Sequence, residues 1–595
     1  MKKTLILIGI FIFSLVLVSC NTGSTTSAIN TQDLTFEADD TSDVVTATDG
    51  IISFGTTTTS GDEGTTATIT MTTEAGSFTT TAGSEEVYID GDGNVIISGS
   101  TITISTGGTY MLTGYSANVQ IFINVAATEK VTLVLDNADL TSLDGPVINA
   151  EQSDKLIINV VDGTINMLSD ASSSTSEIKS CIFSNDDITI NGTGTLIINA
   201  NYNNGINTDD DLRITNGNIT INAANNCLKA NDSVQITTAT LILNADNNAI
   251  HVENTVDTAK GNIMIDSGTI TISAYGDGMD ASNTITITGG SFDITSGVGN
   301  TNIATTSAKG LKGTVAVLIA SGTFDIVSKD DAIHANTNVQ IDNGEFTISS
   351  SDDGIHADTS LTINGGIINI TKSYEGIESI NIIINGGTIH VVASDDGLNA
   401  AGGNDGSSTF GGWPGSATGN ATNTFTGGYI YVNSKGDGVD ANGSISMSGG
   451  TVIVSGPTDS GNGPLDYDST FTMTGGQFVA AGSSGMAQNI SSSSTQYGVL
   501  IYFSSTLTSL IRISDASGGE VITFKPEKSY QCLLVCSPNL KSGQTYSIYT
   551  GGNVTAYDTQ DCGYYTNATY TIGALYSTFT IQAIATTIGS GGMRR

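Results

Sequence analysis

The chain has 595 residues with 71 glycines but only 6 prolines, so its glycine is neither collagen-like nor linker-like. Its 58 acidic residues outnumber 19 basic ones, and the formal net charge of −39 argues against nucleic acid as a partner because phosphate would be repelled. The abundant Ser, Thr, Asn and Ile favour strands joined by tight turns over helices.

Residues 1–20 predict a lipoprotein signal peptide. Lys2 and Lys3 precede an apolar run, and the tetrapeptide LVSC that ends at Cys20 resembles a bacterial lipobox. Cleavage before Cys20 leaves that cysteine to carry lipid, which predicts contact with the membrane through the anchor alone, at the cell surface or outer membrane. The alternative is an uncleaved membrane helix. Residues 21–45 are polar and are interpreted as a tether.

Residues 46–490 repeat one phrase with a base period of about 22 residues, least regularly before residue 140. A second phrase runs in step with it: a short alternating strand, a Gly-Gly or Asn-Gly pair and another strand, as in LTINGGIINIT. Units of three short strands bury a face only when they stack, so the prediction is an all-β parallel β-helix. The small residue of each phrase, called position zero, falls at Gly205, Cys227, Ala249, Gly278, Gly310, Ala332, Gly354, Gly376, Gly397, Gly438 and Pro464.

The positions around this small residue form columns along the predicted helix. Position +1 is apolar in every unit and should face inward, so position +2 is expected to face outward, and position −1 lies on the other side of the bend. Because neighbouring coils lie about 4.8 Å apart, each polar column becomes a ladder. The −1 column holds Asn204, Asn226, Asn248, Asp277, Lys309, Asp331, Asp353, Glu375, Asp396 and Asp437. The +2 column holds Asn207, Lys229, His251, Asp280, Lys312, His334, His356, Glu378, Asn399, Asp440 and Asp466.

The stacked carboxylates predict bound calcium. Acids about 5 Å apart repel by roughly 1–3 kcal/mol per pair, and calcium collects several oxygens in a flexible geometry, whereas magnesium demands a stricter octahedron. The alternative is that Asp and Asn serve only as turn residues, as Asn-Asn does in the early coils. The expected ligands are Asp277 with Asp280; Asp330, Asp331, Asp352 and Asp353; Asp358; Asp395 with Asp396; Asp437 with Asp440; and Asp466 with Asp468.

The histidines predict a sugar-binding groove. His334 and His356 are expected to be neighbours on an outward face, with Glu378 one coil further and Tyr374 in the adjoining bend. Such a groove would hydrogen-bond the hydroxyls of a polysaccharide. The alternatives are ordinary solvated strand residues, or zinc held by the two histidines with carboxylates. No CxxC pair or local Cys/His spacing indicates zinc.

Residues 491–595 lose the repeat and are interpreted as a small antiparallel β unit that caps the open end of the helix. Export would permit one disulfide in this unit, with a pairing that the sequence does not reveal. The three cysteines available for it are Cys532, Cys536 and Cys562. Cys181 and Cys227 replace small residues of the repeat and are predicted to be core thiols.

Two stretches resemble a known family. GDGVDANGSISMSGGTVIVSG, which begins at residue 436, and LVCSPNLKSGQTYSIYTGG near the C-terminus resemble bacterial secreted carbohydrate-binding domain-containing proteins, over roughly residues 80 to 585. The resemblance implies a right-handed β-helix related to pectate-type polysaccharide lyases, calcium sites, and binding of cellulose-like or acidic plant-cell-wall polysaccharides. The early coils depart from the family's acidic turns because they carry Asn in place of Asp.

These observations favour a non-catalytic, calcium-dependent polysaccharide binder. One alternative is a calcium-dependent pectate lyase, which needs a strong base beside the ion. The lysines next to the acidic phrases, Lys329, Lys372 and Lys435, are the candidates for that base. The other alternative is a structural rod on the cell surface.

Overall fold

A computed structural model describes residues 68–70, 86–91, 93, 95–299, 307–401 and 419–590. The predicted signal peptide, the tether and Cys20 lie outside these residues. Every regular element within them is a β-strand, so the all-β prediction is confirmed there. None of the described residues forms a helix long and apolar enough to cross a membrane.

The strands fall into three groups in chain order. The first group, β1 to β10, precedes the regular part of the sheet: Thr68–Thr70, Glu86–Gly91, Val95–Ser98, Thr101–Ile104, Gly108–Ser116, Gln120–Asn124, Lys130–Thr141, Ile148–Gln152, Lys155–Val160 and Ile165–Ser169.

The second group, β11 to β43, carries the repeated phrases: Ser180–Ser184, Asp187–Gly192, Thr195–Ala200, Asn204–Thr208, Asp211–Ile214, Asn218–Ala223, Leu228–Ala230, Ser233–Ile236, Thr240–Ala245, Ile250–Val252, Asn262–Ile265, Thr269–Ala274, Met279–Ala281, Thr284–Ile287, Ser291–Ser296, Leu311–Gly313, Ala316–Ile319, Thr323–Val327, Ile333–Ala335, Asn338–Ile341, Glu345–Ser349, Ile355–Ile363, Ile367–Ser373, Ile377–Ile384, Thr388–Ala393, Leu398–Ala400, Ala421–Phe425, Tyr429–Ser434, Val439–Ala441, Gly443–Met447, Thr451–Ser455, Thr470–Met473 and Gln477–Gly482.

The third group, β44 to β54, follows the repeat: Gly498–Leu507, Ile511–Asp515, Glu520–Phe524, Tyr530–Cys536, Thr545–Thr550, Asn553–Ala556, Thr559–Asp561, Tyr564–Thr566, Thr569–Thr571, Ala574–Thr580 and Ala585–Ile588.

The large sheet is mostly parallel. From β11 to β29 each strand pairs in parallel with the strand three places later along the chain, and parallel pairing continues to β43. Ile206 of β14 lies opposite Leu228 of β17, which lies opposite Ile250 of β20, each 22 residues further on. The three recurring ladders are consistent with a β-helix. Nearer the N-terminus the pairs β1–β3, β3–β4 and β2–β5 are antiparallel.

The core is built from repeated positions of the phrase. The +1 residues are completely buried from Ile206 through Leu465, as their apolar identity predicts. Stacking in register is clearest for Phe292, Phe324 and Phe346, whose rings follow one another with centroids 4.6 Å apart. Equivalent side chains of successive coils therefore lie directly above one another.

The small residues of the phrase allow neighbouring coils to approach. A Cβ added to Gly354 at position zero would lie 2.6 Å from the carbonyl oxygen of Gly376, closer than real Cβ atoms come. Gly366, in the turn of the second phrase, has a φ of 96°, which L-residues rarely adopt. The coil therefore requires glycine at both positions, at Gly354 for steric reasons and at Gly366 for its backbone conformation.

The C-terminal strands are largely antiparallel. β47 pairs antiparallel with β43, the last strand of the repeat, and with β44. A separate six-stranded sheet has the order β50-β51-β46-β45-β48-β53. The last strand of the repeat, β43, is thus paired along one edge by β47.

The five cysteines of the described residues are all free. Cys181 and Cys227 are completely buried, which confirms them as core thiols. The expected C-terminal disulfide does not form. Cys532 and Cys536 are four residues apart on β47, about 13 Å along the strand, which is beyond the reach of a disulfide.

Candidate functional site

The two polar columns face each other rather than solvent. Positions −1 and +2 are three residues apart across a tight bend, so the bend brings their side chains together and adjacent coils cover them. His334 Nδ1 lies 2.8 Å from Asp331 Oδ2, and His334 is only 4% exposed. His356 is completely buried, with its ring stacked on that of His334 at 5.0 Å. The prediction that His334 and His356 face outward is therefore wrong.

One oxygen of each Asn or Asp in the −1 column has a structural role. Asp331 Oδ1 accepts a hydrogen bond of 3.0 Å from the amide of Asp353 on the next coil. Asn226 Oδ1 accepts the equivalent bond from the amide of Asn248 at 3.1 Å. Asn and Asp serve this purpose equally, so the turn-residue alternative accounts for the first oxygen. Asp and Asn differ only in the other side-chain atom, which is a carboxylate oxygen (Oδ2) in Asp and an amide nitrogen (Nδ2) in Asn.

At most acidic positions between Asp277 and Glu378 the second carboxylate oxygen contacts a side-chain cation, and Glu375 is the exception because it accepts from Asn399 Nδ2. Lys312 Nζ lies 3.3 Å from Asp277 Oδ2 and 3.1 Å from Asp280 Oδ1. Asp280 also bonds His251 Nδ1 at 2.9 Å. Burial raises the pKa of Asp277, whereas for Asp280 the hydrogen bond from His251 and the charge of Lys312 outweigh burial and lower the pKa. A lysine therefore occupies the place where calcium was expected.

Lys309, on the same bend as Lys312, does the same for the acids of the following coil. Its Nζ lies 2.9 Å from Asp330 Oδ1 and 2.7 Å from Asp331 Oδ2, and its residue is only 5% exposed. Burial would raise the pKa of Asp331, but His334 and Lys309 outweigh it and hold this pKa well below its ordinary value. Asp352 has a ligand oxygen within 4.8 Å of those of Asp330 and Asp331. The expected four-acid cage is broken because Asp353 turns to His356.

His356 contacts three acids, which share its single positive charge. Its Nδ1 lies 3.0 Å from both Asp353 Oδ2 and Glu378 Oε2, and its Nε2 lies 3.1 Å from Asp358 Oδ1. Burial opposes charging of the ring, but these carboxylates outweigh it and raise the pKa of His356 far above its ordinary value. Glu378 and Asp358 are thus ion-pair partners. We call the whole set the paired stretch: Asp277, Asp280, Lys309, Lys312, Asp330, Asp331, His334, Asp353, His356, Asp358 and Glu378.

From Asp396 onward the same columns carry acids without such partners. Asp437, Asp440 and Asp466 have ligand oxygens within 4.8 Å of one another. Asp396 Oδ1 still accepts a hydrogen bond from the backbone amide of Asp437 on the next coil, and Asp437 Oδ1 accepts one from the amide of Gly463. Among the described residues, no Lys, Arg or His side chain pairs with any of these four acids. We call Asp396, Asp437, Asp440 and Asp466 the carboxylate stretch.

The electrostatics of the carboxylate stretch reflect the missing cations. Burial first, and then the neighbouring acids, raise the pKa of Asp396 to about 7 and that of Asp440 to about 8. Burial and Asp466 raise the pKa of Asp437 to about 6, despite the hydrogen bond from Gly463. Acids that retain protons near neutral pH are unstable as anions in this environment unless a cation joins them.

Asn399 adds a neutral oxygen to this stretch. It lies opposite Asp440 in the register and donates from Nδ2 to Glu375 Oε2 at 2.6 Å. The residue is only 7% exposed, and its buried Oδ1 has no hydrogen-bond partner. A buried amide oxygen without a donor is costly, and a cation is one group that satisfies it. The sequence placed Asn399 in the +2 column without identifying it as a ligand.

The other predicted ligands lie at the margins. Asp468 is exposed, and Asp395 is half-buried beside the hydroxyl of Tyr374. Tyr374 is 40% exposed and remains available to a sugar. The three lysines proposed as lyase bases, Lys329, Lys372 and Lys435, have exposed side chains. Sequence reasoning missed Lys309 and Lys312 as counter-ions, although both stood in the polar columns.

A cleft lined mainly by amides lies on earlier coils, and we call it the amide cleft. It has a volume of about 400 Å³ and is lined by amides, alanines, one aromatic ring and the carboxylate of Asp246, with Asn222, Asn244 and Tyr275 among its residues. Asn244 donates to Asn222 Oδ1, and Asn222 to Asn199 Oδ1, both at 2.9 Å. This amide ladder exposes polar groups at the spacing of the coils, next to the Tyr275 ring. The sequence analysis did not single out these residues.

Comparisons with known proteins place this chain among carbohydrate-binding proteins. A family model described as "Carbohydrate-binding domain-containing protein" matches residues 98–354 and 349–397. A protein of Acetivibrio thermocellus with the same description is 44% identical over 209 residues, 34% of this chain and 73% of that protein. The family match ends at residue 397, so the resemblance noted from residue 436 onward lies outside it.

One solved structure is also similar. It is described as "Structure of the polysaccharide lyase-like protein from C. thermocellum, Gadolinium derivative" and is 30% identical. The alignment covers 45% of this chain and 89% of that one, with a TM-score of 0.29.

Proposed function

Because the chain belongs to the family of carbohydrate-binding domain-containing proteins, we propose that it is a calcium-binding protein that holds plant-cell-wall polysaccharide without cleaving it. In this proposal the mostly parallel sheet winds as a right-handed β-helix of about 22 residues per coil. The rod is held outside the cell by a lipid on Cys20 and presents its glycan sites to acidic or cellulose-like polymers.

The observation that carries the proposal is the carboxylate stretch with Asn399. Asp437, Asp440 and Asp466 supply clustered anionic oxygens, and Asp396 is an acidic neighbour of Asp437. Asn399 Oδ1 supplies a neutral oxygen that has no other partner. Calcium accepts about six to eight such oxygens at about 2.3–2.6 Å. Bound calcium supplies positive charge that neutralises these acids and can accept a uronate carboxylate. This support does not extend to the paired stretch, where lysine and histidine already neutralise the acids.

The amide cleft is the surface that we assign to cellulose-like glycans. Side chains of Asn222 and Asn244 can hydrogen-bond hydroxyls, and the ring of Tyr275 can stack on a sugar face. Its volume of about 400 Å³ lies within the range of about 300–1,000 Å³ typical of small-molecule sites. His334 and His356 play no part in this binding, because they are buried.

The experiment measures binding of polygalacturonate and of cello-oligosaccharides in calcium and in EGTA. We expect polygalacturonate binding to require calcium and to fall at least tenfold in Asp440→Asn. Asp280→Asn, at the equivalent position of the paired stretch, is the matched control and should retain it. Calcium-independent polygalacturonate binding, or equal losses in both variants, would contradict the calcium bridge.

A second arm separates the two glycan surfaces. We expect Tyr275→Ala to weaken cello-oligosaccharide binding without affecting polygalacturonate. If neither glycan class binds in any condition, the carbohydrate-binding proposal fails and the structural-rod alternative replaces it. Calcium-dependent release of unsaturated uronides, followed by ultraviolet absorbance, would instead establish the pectate-lyase alternative.

The lipid anchor has its own test. Cys20 should carry the lipid in cells, which mass spectrometry of the N-terminal peptide detects. Cys20→Ser should release the protein from the membrane fraction. Retention of that variant in membranes would favour the uncleaved-helix alternative.

A further inference from the structure

A separate cluster of metal-type ligands lies where the parallel sheet meets the C-terminal strands. His390 is on β35, Asp561 ends β50, and Cys562 follows in the turn before β51. One ligand atom from each residue lies within 4.8 Å of those of the other two. Because 171 residues separate His390 from Asp561, no local spacing in the sequence indicates this set.

The sulfur–oxygen distance of the cluster suits a small tetrahedral cation, whereas the His390–Asp561 pair is a hydrogen bond that a bound ion would replace and widen by about 1 Å. Cys562 Sγ lies 3.4 Å from Asp561 Oδ1, and His390 Nε2 lies 2.5 Å from Asp561 Oδ2. Zinc binds sulfur at about 2.3 Å and carboxylate oxygen at about 2.0–2.2 Å, so a tetrahedral angle separates the two ligands by about 3.5 Å. The observed sulfur–oxygen distance is already close to that value.

The surroundings of His390 shield it on one side. The rings of Tyr429 and Tyr431 flank the imidazole, each with its centroid 6.0 Å away, and Tyr431 is only 2% exposed. The ring nitrogen that faces Asp561 is Nε2, so Nε2 is the atom through which His390 can hold a cation in this cluster.

We propose that His390, Asp561 and Cys562 form a zinc site that joins β35 to the C-terminal strands, with water as the fourth ligand. Imidazole, carboxylate and thiolate are the ligand types of zinc, whereas calcium and magnesium take oxygen. The site uses none of the ladder residues and does not depend on glycan binding. Burial and Asp561 raise the pKa of Cys562 to about 12, so zinc binding displaces the thiol proton into solvent.

The test is a cobalt titration of the full chain after removal of metal, with excess calcium present to occupy oxygen sites. One equivalent of Co²⁺ should give a thiolate-to-cobalt charge-transfer band and the intense visible bands of a tetrahedral ion. Zn²⁺ should displace it. Cys562→Ser should abolish the charge-transfer band, and His390→Gln should weaken binding at least tenfold. Cys532→Ser, a buried thiol elsewhere, is the control and should retain the band.

A second measurement needs no variant and therefore does not depend on folding of a mutant. Zn²⁺ should protect Cys562 of the wild-type protein from alkylation, read by mass spectrometry of its peptide. The other four described cysteines are buried and serve as internal controls. Absence of the charge-transfer band at one equivalent, its survival in Cys562→Ser, or unchanged alkylation in zinc would each overturn the proposal.

Discussion

The paired stretch and the carboxylate stretch use the same two columns of the same repeated phrase. In both, one Asp oxygen accepts a hydrogen bond from a backbone amide of the next coil, as Asp331 does from Asp353 and Asp396 does from Asp437. The two stretches differ in the partner of the second oxygen. Lysine or histidine contacts it in the paired stretch, and no cationic side chain of the described residues contacts it in the carboxylate stretch. The coil thus fixes where the acids lie, and the +2 and −1 residues decide how they are neutralised.

The difference has opposite consequences for stability. Removing one member of a buried ion pair leaves an uncompensated charge and is strongly destabilising. Removing an acid from an unneutralised group relieves repulsion instead. Equivalent substitutions in the two stretches are therefore expected to change the free energy of unfolding with opposite signs when calcium is absent.

The largest expected effect is that of His356→Gln in the paired stretch. The substitution leaves Asp353, Glu378 and Asp358 without their shared cation, which should lower the free energy of unfolding by about 3–5 kcal/mol. Urea denaturation measures this loss. His251→Gln is the control and should cost less, because its side chain is 20% exposed. Equal, small losses in both variants would show that the buried pairs do not stabilise this stretch.

Asp440→Asn and Asp280→Asn compare the two stretches at one position. In EGTA, Asp440→Asn should raise the free energy of unfolding by about 1–3 kcal/mol because it relieves repulsion. Asp280→Asn should lower it, because Lys312 and His251 lose a partner. In calcium at 100 times its Kd, wild type should gain about 2.7 kcal/mol, and Asp440→Asn should lose most of this gain. The same sign for both variants in EGTA would contradict the division into two stretches.

The pH dependence should distinguish the carboxylate stretch in a third way. The folded pKa values of Asp396, Asp437 and Asp440, about 7, 6 and 8, lie above the ordinary 3.8. As pH rises, the unfolded chain loses these protons first, so stability in EGTA should fall between about pH 4 and 8, by at most about 1.4 kcal/mol per pH unit for each proton.

Thermal melts across that pH range measure the slope. Saturating calcium should flatten it, since calcium favours the ionised acids, and Asp440→Asn should make it shallower in EGTA. A slope that calcium leaves unchanged would mean that these acids do not bind it.

The smallest expected effect is that of the exposed lysines, which belong to neither stretch. Lys372 Nζ contacts Ser351 Oγ at 3.5 Å, and Lys435 is exposed. Lys372→Ala and Lys435→Ala should each change stability by less than about 0.5 kcal/mol and leave polygalacturonate binding intact. Denaturation and binding assays check both. Loss of unsaturated product in either variant, from a wild type that forms it, would assign that lysine as the lyase base.

The sequence predicted the features that repeat and missed those that depend on non-local contact. The apolar +1 residues and the small residues, such as Ile355 and Gly354, follow from periodicity and are buried as expected. The predicted exposure of the +2 residues was wrong at His356, because alternation along one strand does not show which side chains of the bend and of the adjacent coils cover it. Lys312 lies 35 residues from Asp277, so only the register of the coils reveals their pairing.

The most direct test of the two-stretch account is a crystal structure grown in calcium and measured at a wavelength where calcium scatters anomalously. We predict an anomalous peak among Asp396, Asp437, Asp440 and Asp466, about 2.3–2.6 Å from the oxygens that bind the ion, with Asn399 Oδ1 among them. We predict none between Asp277 and Asp280, where Lys312 lies. A peak at Asp277 and Asp280 with none at Asp437 and Asp440 would contradict it.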